Sequence, residues 1–295
     1  MPWPRCRNIA IVGVGLLGGS VGLALRRAGF EGRLIGVGRT QATLDRAIDL
    51  GCIDEAADLQ HAADRSDLLL LAAPVGAIVG LIHQLAAVAP PHALVTDVGS
   101  TKATIVGEAE RVLPNPGRFV GAHPMAGGER AGPDHASADL FRGKPVAVTP
   151  TDRTDPEALE RVEGFWRMMG MAVHRFAPAA HDRAVARLSH LPHALSVVLM
   201  DQAHRSPGLE LASTGLADMT RVAAGDPELW ADIFLDNAPA VLDACEEFQR
   251  LLDGLGAAIR AGDRQRLVEA LASARAARLA WRGRRTDQAD RSDEA

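Results

Sequence analysis

Cysteine is scarce in this sequence. Cys6, Cys52 and Cys245 are scattered through 295 residues, odd in number and without metal-ligand spacing. That excludes a disulfide framework, gives no basis for a metal site, and fits the reducing cytoplasm. Long apolar runs are also missing. No window reaches the ~18 uninterrupted apolar residues of a membrane span, and the opening MPWPRCRN lacks the apolar stretch of a secretory leader. Neither charge sign dominates: 32 basic against 37 acidic residues give a net charge of −5. With no concentrated basic stretch, neither nucleic acid nor a membrane surface is expected as a partner. What the chain has in quantity is apolar side chain, 47% of the total, enough for two cores.

Those residues are arranged in two styles. Up to about residue 177 apolar strands alternate with helices: Ile9 to Val12, Arg33 to Val37, Asp67 to Ala73, Ala93 to Val98, Phe119 to Ala122, Pro145 to Thr149 and Met171 to Phe176 read as strands. Such alternation predicts an α/β, Rossmann-type, doubly wound and largely parallel sheet over 1–177. From His181 onward the spacing is helical with almost no strand signal, so 178–283 is expected to be an all-α helical domain. Its large apolar content points to burial against a second copy, a homodimer. Pro192 lies inside the first of these helices and should kink or break it. The polar residues 284–295 are expected to form a disordered tail.

GVGLLGGSVG follows the first strand. Gly13, Gly15 and Gly18 form G-x-G-x-x-G between a strand and a helix, the arrangement in which backbone N–H groups meet a pyrophosphate. Gly13 permits the tight turn, Gly15 the close approach of backbone to phosphate, and Gly18 the packing of helix on strand. Leu16 and Leu17 within the loop, and Ala73 and Pro74 at the end of DLLLLAAP, complete the expected dinucleotide site. NAD-selective domains usually end the second strand with a carboxylate; here Gly38, Arg39 and Thr40 stand there. Arg39 can pair with a 2′-phosphate and Thr40 can add a hydrogen bond, so NADP is favoured, with NAD as the alternative.

Four further segments stand out: DVGSTK with Ser100, GAHPMAGGE with His123 and Gly128, SHLPH with His190 and His193, and DMTRVAAGDPELW with Arg221 and Trp230. Each has an ordinary reading when taken alone. His123 can be a hydrogen-bonded loop residue, His190 and His193 can pack beside the proline break, Arg221 can be structural, and Trp230 can be core. The other histidines, His181 among them, receive no role.

Taken together, in this order and at these separations, GVGLLGGS, DVGSTK, HPMAGGE, SHLPH and DMTRVAAGDPELW resemble the prephenate/arogenate dehydrogenase family of tyrosine biosynthesis. The resemblance covers roughly residues 8 to 255. It implies an NAD(P)-dependent oxidative decarboxylation of a small cyclohexadienol acid, in which hydride leaves the ring carbinol carbon, CO₂ departs and the ring becomes aromatic. It implies that His123 takes the ring-hydroxyl proton, that Ser100 holds its imidazole, and that Arg221 receives a substrate carboxylate. His190, His193 and Trp230 would add substrate contacts from the helical side, across a cleft between the domains. Gly128 stands where many members carry threonine, which leaves open whether prephenate or arogenate is taken. A rival reading is another two-domain NAD(P) reductase, of the β-hydroxyacid dehydrogenase or imine reductase type. Those are expected to use a lysine or other donor in the helical half, and no lysine occurs from residue 178 onward. A non-catalytic NADP sensor is the alternative from outside the enzymes.

Overall fold

A computed structural model describes residues 6–128 and 130–293, with side chains described up to 281. The first part of the chain is built on an eight-stranded sheet in the order β3-β2-β1-β4-β5-β6-β7-β8. The strands are β1 (Asn8–Val12), β2 (Arg33–Val37), β3 (Glu55–Ala56), β4 (Leu68–Leu71), β5 (Leu94–Asp97), β6 (Phe119–Pro124), β7 (Pro145–Thr149) and β8 (Ala172–Arg175). All neighbours pair parallel except β6 with β7, so the last two strands run against the other six. The expected Rossmann-type sheet is present.

A mostly parallel sheet must be covered on both faces, and its strands are accordingly apolar throughout. All four leucines of β4 are fully buried. Leu68 and Leu70 join Ile9 and Ile11 on one face, under α1 (Leu16–Arg27) and α6 (Pro156–Met168). Leu69 and Leu71 join Ala10 and Val12 on the other, under α3 (Leu59–Arg65), α4 (Val75–Val88) and α5 (Ala103–Val112). Each buried leucine contributes about 2 kcal/mol. The remaining helix of this part, α2 (Gln41–Asp49), is opened by Thr40, whose hydroxyl accepts from the Thr43 amide.

Past β8 the chain is helical, as expected: α7 (Pro178–Val185), α8 (Leu191–His204), α9 (Thr214–Thr220), α10 (Pro227–Asp236), α11 (Ala238–Arg260) and α12 (Arg264–Asp293). Strand gives way to helix at about residue 177, yet the compact units divide between Ala238 and Pro239. The reason is packing: α7 lies on α5, and α10 lies on α4. Between α7 and α8, Ala186–His190 forms a wide π turn in front of Pro192, the place where a residue lacking an N–H disturbs the helical ladder. A single helix from Pro227 to Leu252 is not formed, because the chain breaks at Asn237.

The second unit consists of α11 from Pro239 and α12. Both carry apolar side chains to the surface, including Leu242, Leu251, Leu255, Ile259, Leu271 and Leu279. The backbone of α12 continues as helix to Asp293, where a disordered tail was expected from 284. Among the described residues no helix is long and apolar enough to cross a membrane, and no group of three or more histidine, cysteine or acidic residues could hold a metal ion.

Candidate active site

The glycine turn sits where β1 lies between β2 and β4, the point at which the strand order reverses and ligands bind in open α/β sheets. Gly13 adopts φ +100°, and its N–H donates to the Val37 carbonyl at 2.8 Å. A Cβ there would lie 2.4 Å from the Ala72 carbonyl oxygen, so the turn is pressed against the end of β4. Gly18 is equally closed: a Cβ would meet the Gly13 carbonyl oxygen at 2.1 Å. Gly15, the residue before α1, is the opposite, with nothing within 4 Å of a Cβ and no side chain capping the helix. Two glycines closed by protein and one facing open space beside uncapped amides fit a dinucleotide phosphate. Leu16 and Leu17 begin α1, Ala73 and Pro74 lead into α4, and Arg39 and Thr40 are exposed beyond β2.

The chemistry-bearing side chains gather at the carboxyl ends of β5 and β6. Asp97 and Lys102 are fully buried and form an ion pair. Lys102 Nζ also donates to the Ala122 carbonyl at 3.0 Å, while Asp97 accepts from the Ala122 amide at 3.0 Å and the Gly99 amide at 2.8 Å. Ala122 is therefore clamped on both its backbone groups, which fixes the strand one residue before His123. Burial pulls the Lys102 pKa down, against the opposing pull of the Asp97 carboxylate.

His123 is half-buried in β6, and its Nδ1 lies 2.9 Å from His181 Nε2. His181 Nδ1 in turn lies 2.8 Å from Asp182 Oδ1. Burial, then the neighbouring His181, Lys102 and His190, hold the His123 pKa well below the usual histidine value, so the ring is neutral at neutral pH. His190 is buried at the end of the π turn, where burial lowers its pKa to about 4. Asn237 Nδ2 donates to His190 Nδ1 at 3.2 Å and to the Asp182 carbonyl at 2.9 Å. His193 is stacked on Trp230, with ring centroids 3.5 Å apart and planes 11° apart, and its buried Nδ1 has no hydrogen-bond partner among the described residues.

Of the residues singled out from sequence, His123, His190, His193 and Trp230 thus come together. Ser100 is half-buried in the loop after β5, and His123 Nδ1 is met by His181. Arg221 opens a one-turn helix, Arg221–Ala224, against which α8 packs. Gly128 is exposed, and among the described residues a Cβ there would touch only Leu16, at 3.5 Å, so the loop after His123 returns over the start of α1. Glu129, the residue after Gly128, lies outside the described residues. Spacing gave no sign of His181, Asp182 or Asn237. For Asn237 a signal existed: asparagine two residues before Pro239 is a helix-start pattern.

Residues 21–175 match the family model described as prephenate dehydrogenase, nucleotide-binding domain, and residues 177–273 match prephenate dehydrogenase, dimerization domain. The chain belongs to the prephenate dehydrogenase family. It is an NAD(P)-dependent oxidoreductase of that family. A cyclohexadienyl dehydrogenase of Zymomonas mobilis is 33% identical over 281 residues, covering 93% of this chain and 96% of that protein. The crystal structure of prephenate dehydrogenase from Aquifex aeolicus, in complex with hydroxyphenyl propionate and NAD+, superposes with a TM-score of 0.88 at 35% identity. It covers 93% of this chain and 98% of that one. Synechocystis arogenate dehydrogenase follows at a TM-score of 0.82 and 32% identity, covering 93% and 99%.

Proposed function

We propose that this enzyme oxidatively decarboxylates prephenate, arogenate or both, with His123 accepting the proton of the ring hydroxyl. The observation that carries this reading is a neutral histidine at the carboxyl end of β6, in a loop that returns to the glycine turn at Leu16. A neutral imidazole can accept a proton, and a positioned base contributes roughly 10²–10⁴-fold to rate. When bound, the nicotinamide accepts the hydride released from the ring carbinol carbon. Burial and the clamp on Ala122 keep His123 neutral and oriented for the proton. Arg221 offers a planar fork for a substrate carboxylate. His190 supplies a buried polar wall on the helical side, and the His193–Trp230 stack an apolar one. Ser100 is assigned a contact in the same crevice.

Arg39 and Thr40 support a preference for NADP over NAD, since no carboxylate stands at the end of β2 to repel a 2′-phosphate. The name of the second family domain and the exposed leucines of α11 and α12 support a homodimer.

Purified enzyme supplied with prephenate or arogenate, and with NADP+ or NAD+, is expected to release 4-hydroxyphenylpyruvate from the first substrate or tyrosine from the second. Absence of either product with all four combinations sinks the proposal.

A further inference from the structure

Asp182 is a carboxylate surrounded by donors. Its Oδ1 accepts from the Lys102 amide at 2.8 Å and its Oδ2 from the Ala103 amide at 2.8 Å, at the opening of α5. Burial acts to raise its pKa, but the hydrogen bonds from His181, Ala103 and Lys102 outweigh that and hold it below the usual value. An ionised carboxylate only accepts. His181 Nδ1, 2.8 Å away, must therefore carry the hydrogen. When Nδ1 bears the one hydrogen of the His181 ring, His181 Nε2 accepts, and the hydrogen in the 2.9 Å contact belongs to His123 Nδ1. One outcome remains for His123: its Nε2 holds a lone pair.

We propose that His181 and Asp182 are positioning residues that select the Nδ1–H form of His123 and thereby leave Nε2 as the atom that takes the substrate's proton. This rests on the reading of His123 as the base. The two rings stand at 72° with centroids 5.1 Å apart, so an N–H in the plane of one meets a nitrogen of the other. His181 is 2% exposed and Asp182 6% exposed, so water does not compete for either bond.

The proton balance is simple. The hydroxyl O–H bond breaks, a bond to His123 Nε2 forms, and the Nδ1–H stays on His123, directed at His181 throughout. The imidazolium that results faces a ring whose far nitrogen is anchored on a carboxylate. The other charged and titratable groups around this chain are Lys102, paired with Asp97, and Asp236 in the field of Lys102. His190 beside them is held by Asn237, with His193 as its neighbour. Of these only Asp182 and His181 make a bond that bears on the form of His123.

The test uses two replacements of His181 and a direct reading of the ring. Glutamine can accept from His123 Nδ1 and donate to Asp182, so His181→Gln preserves the pattern; alanine cannot. His181→Ala is expected to lose roughly 10²-fold or more in kcat while cofactor affinity stays near that of the parent, with His181→Gln retaining most of the rate. Exogenous imidazole, filling the space left by alanine, restores part of the loss. Nitrogen-15 NMR of the resting enzyme reads the form without turnover: His123 with Nδ1 protonated and Nε2 bare, and a mixture of both forms in His181→Ala. An Nε2–H form of His123 in the parent overturns the proposal, as does a His181→Ala enzyme of unchanged kcat. If the parent turns over neither substrate, the catalytic reading fails, while the spectrum still decides the form of His123. If the alanine variant does not fold, the glutamine variant and the parent spectrum carry the decision; His181→Gln showing the Nε2–H form counts against it.

Discussion

Asn237 binds the Asp182 carbonyl at 2.9 Å from the break between α10 and α11. One amide group thus joins the end of α10 to α7 and, through its second contact at 3.2 Å, to His190 at the end of the π turn.

Removing that amide leaves two buried acceptors without their donor. Asn237→Ala is expected to lower stability by about 1–3 kcal/mol. Urea unfolding monitored by tryptophan fluorescence measures it, and a midpoint equal to that of the parent shows that the bonds contribute nothing.

Acid should weaken the fold through the same cluster. His190 titrates near 4 when folded, against about 6.5 when unfolded. Its folded pKa is depressed, so the unfolded chain binds its proton first as pH falls. The stability tied to neutral His190 is present above pH 6.5 and lost progressively toward pH 4. The loss is on the order of 3 kcal/mol from this group, and His123 adds to it in the same direction. Thermal midpoints between pH 7.5 and 4.5 are expected to fall, and His190→Gln should flatten the slope.

His123→Asn removes the proton acceptor while keeping a polar side chain in β6. It is expected to reduce kcat by roughly 10²–10⁴-fold with cofactor affinity unchanged. Steady-state kinetics and cofactor titration together check this; near-parent kcat would falsify the role given to the imidazole.

Arg39, exposed beyond β2, is the expected determinant of cofactor choice. Arg39→Glu places a carboxylate where the 2′-phosphate of NADP would come, and should raise the Kd for NADP+ by roughly tenfold or more, the size of one lost charge-assisted bond. NAD+ affinity should hold or improve. Equal Kd values for NADP+ before and after the change argue that Arg39 is only solvated.

Much of this was legible in the sequence. β7 occupies Pro145–Thr149 as read, and the glycine turn, β1 and α1 follow from apolar run, G-x-G-x-x-G and helix in succession. Local patterns of that kind are written within a dozen residues. α3 went unread because LQHAADR is short and mostly polar, its start marked only by Asp58 accepting from the His61 amide. The partner of His123 went unread for a different reason. His181 is 58 positions away and belongs to α7, and the contact exists only because α7 packs on α5. Ser100 is implied by the family resemblance of DVGSTK, whereas His181 comes from the helical stretch and belongs to no such motif. The motif supplies His123; the tertiary structure supplies the ring it meets.

Gly128 gives the site a latitude that its histidines lack. Its backbone is not in the left-handed region, and among the described residues a Cβ added there meets only Leu16, at a comfortable 3.5 Å. A Cβ can enter there at ordinary contact distance from its described neighbour. Position 128 can therefore be exchanged while the buried Asp97–Lys102 and His181–Asp182 contacts stay untouched.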